Sequence, residues 1–230
     1  PTDCRLSFQE FFGRAVNEKA WGYPVAALLG SIDAQNAMGT ASIGGKDSMS
    51  GTFEELNVPH TLVSFAVTHD EVENVTSGSF KKAGSNVYLV TVPYSEELAP
   101  DFDAFTKNTN VLYNLNASGK IAAMYPVCAG GIAEAVTKMA MGNKVGVTIS
   151  NVPYSATTAG FRKDGRYSVK DLFTAQYGAI IVEANDGFET ADFVDGTIVK
   201  IGETNNSTDI KVEADNVPGM KISIADEENA

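Results

Sequence analysis

The apolar residues in the first third of the chain follow helical spacing twice and extended spacing once. Ser7 followed three positions later by Glu10 is a capping-box pattern, and the nearby phenylalanines predict a short helix over residues 7–18. A second helix is predicted where apolar residues recur every three or four positions, with Gly39 as its C-terminal stop; these residues are Val25, Leu28, Leu29 and Ile32. Residues 61–68, rich in β-branched and aromatic side chains, predict a strand.

After residue 84 the pattern alternates strands with helices. Short runs rich in valine and isoleucine predict strands, whereas apolar residues at helical spacing predict helices. The predicted strands cover residues 86–92, 120–127, 145–149, 179–183 and 197–203, and the predicted helices cover 101–115, 132–139 and 169–175. Alternating elements with some adjacent strands indicate an α+β fold with a mixed sheet and packed helices.

The same pattern divides the chain into domains. Two helices and one strand cannot complete a sheet, because a lone strand leaves its edges unpaired, so residues 1–77 are expected to be the closing part of a domain. The small and basic residues of 78–84 suit a linker. A second domain is therefore expected over 78–213, followed by an acidic tail or linker at 214–230. The start at Pro1 leads us to expect a piece of a longer protein.

Composition narrows the functional classes. A hydrophobic content of 43% is enough for a core, and no apolar run approaches the roughly 20 residues that span a bilayer. The formal charge of -12 argues against a nucleic-acid partner, because polyanionic phosphate would be repelled. Without a secretory signal pattern, a cytoplasmic location is expected. Cys4 and Cys128 lack zinc-site spacing and are expected to be free thiols, with Cys128 packed.

The segment from Gly44 to Gly51 carries the strongest candidate chemistry and is predicted to be a ligand loop. Three glycines surround a cation, a carboxylate and hydroxyls, and such a backbone can bend around an anion. Its candidate binding residues are Gly44, Gly45, Lys46, Asp47 and Ser48. These residue types are also common in plain turns, so composition leaves both interpretations open. The order matches neither a Walker A loop, because Asp47 separates Lys46 from Ser48, nor the dinucleotide fingerprint.

This loop and its surroundings resemble a known family. Residues 29–53 together with 58–67 are similar to the phosphoribosylformylglycinamidine synthase family, the glutamine-dependent amidoligases of purine biosynthesis. The run Gly-Lys-Asp-Ser-Met-Ser at 45–50 is typical of the larger forms of that family.

The later part of the chain resembles the C-terminal domain of the aminoimidazole ribonucleotide synthase superfamily. The matching stretches are 82–90, 130–136 and 199–203. The resemblance implies that the end of an N-terminal-type synthase domain is followed by a C-terminal-type domain. Both would come from the second half of the synthase core.

The family reaction implies ligands and residue roles. ATP activates the formyl amide oxygen of formylglycinamide ribonucleotide, and ammonia from a glutaminase domain displaces phosphate to give formylglycinamidine ribonucleotide. The resemblance thus implies ATP and Mg²⁺ as cofactors, and the remaining synthase and glutaminase domains as partners. It places Gly45 near nucleotide, Lys46 near phosphate or metal and Ser48 on the substrate, while Asp47 either fixes the loop or acts as a ligand. It assigns no catalytic residue or metal ligand and implies that this part is inactive alone.

One motif departs from the family pattern. Many members carry His-Asp-x-Ser-x-Gly-Gly before a glycine-led helix, with the Asp associated with magnesium and the Ser with nucleotide at an auxiliary site. This chain has Pro126 and Cys128 at those positions, and neither is a good magnesium ligand. The auxiliary nucleotide site is therefore expected to be altered or lost, with Gly130 and Gly131 left as a weak backbone anion site.

Two other interpretations stay open at this point. In the first, the chain is a non-catalytic structural or interaction domain with a degenerate nucleotide site. In the second, it is a relative of selenophosphate synthetases or hydrogenase-maturation proteins, which share the domain pair. The Lys-Asp-Ser-Met-Ser run at 46–50 disfavours the second.

Overall fold

The computed structural model describes residues 3–153, 169–215 and 217–224. The chain forms two compact units, Pro1–Val72 and Glu73–Ala230, which are described separately. Of the helices in the described ranges, none combines the length and the apolar character needed to cross a bilayer.

The first unit contains a three-stranded sheet, a helix and a small hairpin. Its elements are β1 (Arg5–Phe11), α1 (Glu18–Met38), β2 (Ala41–Lys46), β3 (Thr52–Phe53), β4 (Leu56–Asn57) and β5 (Thr61–Val67). The sheet order is β2-β1-β5, with β1 parallel to β2 and antiparallel to β5. Because parallel strands need a long crossover, α1 connects β1 to β2, while β3 and β4 pair as the hairpin.

The helix predicted over residues 7–18 is wrong, because Arg5–Phe11 forms the central strand β1. This strand has a partner on each side, so its backbone hydrogen bonds go to β2 and β5 instead of to a helical turn. The Ser7 and Glu10 capping pattern is a local preference worth about 1 kcal/mol. Pairing with two neighbouring strands outweighs that local preference.

The second predicted helix is confirmed as α1. Asn17 caps its start, since its Oδ1 accepts from the Ala20 N–H at 2.9 Å. Gly39 ends it with a φ of 63°, the left-handed conformation that glycine adopts without strain. The apolar side chains at helical spacing stay largely open to solvent, from 42% exposed at Ile32 to 62% at Leu29.

The second unit is built on a seven-stranded mixed sheet. Its elements are β6 (Asn86–Val90), α2 (Phe102–Ala117), β7 (Ile121–Pro126), α3 (Gly131–Asn143), β8 (Val147–Ile149), a 3-10 helix (Val169–Phe173), β9 (Ile180–Ala184), β10 (Ile198–Thr204), β11 (Asp209–Val212) and β12 (Met220–Ser223). The order is β12-β11-β8-β10-β6-β9-β7, and among these strands only β8 and β11 pair in parallel. The predicted α+β class with a mixed sheet and packed helices is confirmed.

The helices α2 and α3 pack on opposite faces of this sheet. Successive residues of a strand point to opposite faces. In β6, Leu89 belongs to the buried cluster that contains Met139 of α3, whereas Val90 belongs to the cluster that contains Leu112 of α2. All the α3 residues predicted at helical spacing are buried, namely Ile132, Ala135, Val136 and Met139.

The two strands at one edge of the sheet were not predicted. β11 pairs with β12, and Ile210 lies opposite Ile222. The acidic tail or linker predicted over 214–230 is therefore wrong where β12 forms, since its backbone is paired into the sheet. Both strands have only four residues, too few for a clear alternation. Residue 216 and residues 225–230 lie outside the described residues.

One buried amide ties α2 to the sheet. Asn108 is 2% exposed, and its Nδ2 donates to Thr197 Oγ1 at 2.8 Å. Its Oδ1 accepts from the Val194 N–H at 3.0 Å. Thr197 directly precedes β10, so the amide fixes the helix against the start of a central strand.

We expect Asn108→Ala to lower the free energy of unfolding by about 2 kcal/mol, because it leaves the partly buried Val194 N–H and the buried Thr197 hydroxyl without their Asn108 partner. The matched control is Asn110→Ala on the exposed side of the same helix, which should change stability by less than about 0.5 kcal/mol. Urea denaturation measures both. Equal losses in the two variants would contradict this role for Asn108.

Candidate functional site

The candidate ligand loop begins inside a strand. Gly44, Gly45 and Lys46 are the last three residues of β2, and the chain leaves the sheet only at Asp47. The prediction of a continuous loop from Gly44 is therefore wrong for these three residues, because β2 pairs with β1 through them.

The parallel pairing of β1 with β2 brings charged residues to one end of the sheet. Gln9 lies opposite Lys46, and the next residue along each chain is Glu10 and Asp47, respectively. Glu10, Lys46 and Asp47 line an open groove of about 650 Å³. Ligands of open α/β sheets bind outside the carboxyl ends of parallel strands. The groove thus places one ammonium and two carboxylates where a ligand is expected.

Lys46 is held by two neighbours in the first unit. Its Nζ donates to Ser48 Oγ and lies 4.6 Å from the centre of the Phe11 ring. A cation over an aromatic face is stabilised while it keeps its charge. Among the described residues Lys46 forms no ion pair, so its ammonium is available to an anionic ligand.

Ser48 and Asp47 are held differently. The Ser48 carbonyl oxygen accepts from the Phe12 N–H at 2.8 Å, which fixes this part of the loop to the end of β1. The Asp47 carboxylate has no hydrogen-bond partner in the part of the chain that the structure describes. Of the two roles left open for Asp47, this geometry favours ligand binding over fixing the loop.

Close packing explains why glycine is needed at two of the three glycine positions of the segment, but not at the third. A Cβ built on Gly45 would lie 2.2 Å from Phe8 O, and one built on Gly51 would lie 2.2 Å from Val58 Cγ1. Packing alone therefore requires glycine at both positions. A Cβ on Gly44 would meet nothing within 4 Å, so no close contact explains that glycine.

Gln35 connects α1 to the edge strand beside the groove. Its Oε1 accepts from the Ser42 N–H at 2.8 Å, and its Nε2 donates to Ser31 O at 3.0 Å. Gln35 and Ser42 both line the groove with Lys46. The amide therefore positions β2, and with it the charged end of that strand.

Sequence reasoning missed Glu10 as a site residue. The helix predicted over 7–18 assigns its carboxylate to a capping role, whereas in β1 it lines the groove. The alternation of Leu6 and Phe8 with polar neighbours was the signal for a strand.

The second glycine pair begins α3 in the other unit. The Gly130 N–H donates to Glu134 Oε2 at 2.7 Å, and the Gly131 N–H donates to Cys128 O at 3.1 Å. Both amides of the predicted weak anion site therefore already have acceptors within the chain. Cys128 is exposed, not packed as predicted, because it lies in the turn between β7 and α3.

A metal ion in this groove would need ligands from a bound phosphate as well as from the protein. The described residues contain no group of three or more His, Cys, Asp or Glu side chains placed to hold a metal. Magnesium at nucleotide sites is usually bound through one or two carboxylates plus phosphate oxygens. Glu10 and Asp47 could supply two such carboxylates.

Solved structures of two kinds share the fold of this chain. HypE in the HypE–HypF complex matches with a TM-score of 0.64 and 13% identity, over 95% of this chain and 77% of that chain. Phosphoribosylformylglycinamidine synthase II from Thermotoga maritima matches with a TM-score of 0.67 and 13% identity, over 96% of this chain and 37% of that chain. T. maritima PurL complexed with ATP matches with a TM-score of 0.68 and 11% identity, over 96% of this chain and 37% of that chain.

These matches establish the fold. No protein-family model matches the sequence. The chain spans 37% of the T. maritima enzyme, little more than a third, but 77% of HypE. It has the aminoimidazole ribonucleotide synthase-like fold of PurL and HypE, as the sequence resemblance implied.

We expect Gly45→Ala to lower the free energy of unfolding of the first unit by about 2 kcal/mol, because its Cβ would overlap the β1 backbone. Gly44→Ala is the matched control one residue away and should change stability by less than about 1 kcal/mol. Thermal and urea denaturation compare the two. A stable Gly45→Ala variant would show that β1 and β2 do not pair this closely.

Proposed function

We propose that this chain is part of a glutamine-dependent, ATP-driven amidoligase of the phosphoribosylformylglycinamidine synthase type. In this proposal the segment Gly44–Ser48 binds nucleotide and substrate. The observation that carries it is the groove at the carboxyl ends of β1 and β2, where Lys46, Asp47 and Glu10 converge. The same segment bears the Gly-Lys-Asp-Ser-Met-Ser run that resembles the larger forms of the family.

The solved relatives support the ligand class. T. maritima PurL has been solved with ATP and with FGAR. Both ligands carry phosphate, and the ammonium of Lys46 is suited to a phosphate oxygen. ATP as ligand and formylglycinamide ribonucleotide as substrate are therefore part of the proposal.

The three charged residues of the groove and the nearby Ser48 have separate tasks in this proposal. Bound ATP would supply the phosphoryl group that activates the formyl amide oxygen, which ammonia then replaces with release of phosphate. Lys46 binds phosphate, and the Ser48 hydroxyl, which already contacts Lys46, orients the substrate. Glu10 and Asp47 would hold Mg²⁺, whose charge would offset the repulsion between these carboxylates and the nucleotide.

The wider assignments follow from the same proposal. The chain would work with the remaining synthase domains and a glutaminase domain, in the cytoplasm, and would be inactive alone. The net charge of -12 supports the absence of a nucleic-acid partner.

Lys46→Ala tests the phosphate role in the full-length protein that contains this chain. We expect kcat/KM for formylglycinamidine ribonucleotide formation to fall about 100-fold, because a preorganised cation at the phosphate is lost.

Ser48→Ala should lower kcat/KM about 10-fold or more, since it removes one hydrogen bond to the substrate.

The matched control is Lys19→Ala, which removes an exposed lysine of the same unit outside the groove. Its kcat/KM should equal that of the wild type. Wild-type turnover in both Lys46→Ala and Ser48→Ala would overturn the assignment of the loop.

A non-catalytic structural or interaction domain is the second candidate function. The observation that favours it is that packing alone explains Gly45 and Gly51. Calorimetry of the full-length protein with magnesium-ATP separates the two candidates. Binding that weakens at least about 10-fold in Lys46→Ala supports the ligase, whereas unchanged binding in that variant supports the non-catalytic domain.

A further inference from the structure

The amino end of α3 contains a negative charge supplied by the chain itself. The Gly130 N–H points at Glu134 Oε2, 2.7 Å away. Glu134 lies in the first turn of the helix, where the helix dipole favours negative charge. The carboxylate therefore takes the place that a bound anion would take at such a helix start.

A lysine on the next turn holds this carboxylate in place. Glu134 Oε1 lies 2.5 Å from Lys138 Nζ. The hydrogen bond from Lys138, followed by that from the Gly130 N–H, lowers the pKa of Glu134 below its usual value. Lys138 also lies 5.9 Å from the centre of the Tyr125 ring, at the end of β7. One carboxylate oxygen thus contacts the lysine while the other contacts the backbone amide.

The Glu134 side chain lies so close to Gly130 that it leaves no room for a larger residue there. A Cβ on Gly130 would lie 2.6 Å from Glu134 Cβ and 2.7 Å from its Oε2. Glycine at 130 is therefore explained by room for the Glu134 side chain. A phosphate is not needed to explain it.

Gly131 is also explained by contacts within the chain. It has a φ of +71°, and a Cβ there would lie 2.5 Å from Leu172 O in the 3-10 helix. Its N–H already donates to Cys128 O. Contacts within the chain thus explain why both residues are glycine, and the N–H of each already has an acceptor.

We propose that the Glu134 carboxylate is an internal anion that closes the glycine-led start of α3 to nucleotide phosphate. This goes beyond the proposed function, because it concerns the start of α3 and not the groove, and it explains why phosphate does not bind there. Pro126 and Cys128 agree with it, since neither supplies an oxygen ligand for magnesium beside the glycines. Phosphate could reach the Gly130 N–H only by displacing a carboxylate that is already paired.

Amide hydrogen exchange followed by mass spectrometry tests the proposal in the full-length protein. The readout is the peptide that covers residues 128–138, and the probe is inorganic phosphate at ionic strength matched with chloride. Glu134→Ala should exchange about 10-fold faster than wild type in this peptide, because the hydrogen bond to Gly130 is lost. Phosphate should slow exchange in Glu134→Ala and leave the wild type unchanged.

Two further variants make the result specific. Glu134→Gln keeps an acceptor for the Gly130 N–H without the charge, so its exchange should stay closer to that of the wild type. Glu189→Ala removes an exposed carboxylate elsewhere in the same unit and should behave as wild type. Slowing of the wild-type peptide by phosphate, or no slowing in Glu134→Ala, would overturn the proposal.

Discussion

The close approach of β1 and β2 at Gly45 is the constraint on which the first unit depends. Only a residue without a side chain allows the backbone of β2 to lie this near Phe8 O. That contact sets the register of the two strands. The register places Lys46 opposite Gln9, so that Glu10 in β1 lies beside Asp47, the first residue after β2. A shift by one residue would turn these side chains to the other face of the sheet.

The two glycine-rich segments of this chain differ in whether the charge beside them is already neutralised within the chain. At the groove, Lys46 keeps an ammonium without an ion pair in the described chain, so its charge can be neutralised by a ligand. At α3, Glu134 already neutralises the positive end of the helix and is itself paired with Lys138. Glycine content alone does not distinguish these cases. What distinguishes them is whether a neighbouring side chain has already satisfied the local charge.

Helices with a regular apolar period were the most predictable elements. Ile132 and Met139 mark the buried face of α3 in the sequence, and Gly39 marks the end of α1. The strand β1 was not predictable in the same way, because its partner residues lie more than 30 positions away in β2 and at least 50 positions away in β5. For the same reason Lys46, Asp47 and Ser48 were found from one short run, whereas Glu10 needed the fold.

The separation of α2 and α3 by the seven-stranded sheet also governs how substitutions combine. Leu112 and Met139 belong to different buried clusters, and these clusters have no residue in common in the part of the chain that the structure describes. The energetic effects of changes at these two positions should therefore add. Leu89 and Val90, adjacent residues of β6, face one cluster each, as do Ile181 and Val182 of β9. A displaced backbone in β6 or β9 would therefore disturb both clusters at once, although substitutions of single side chains on the two faces act separately.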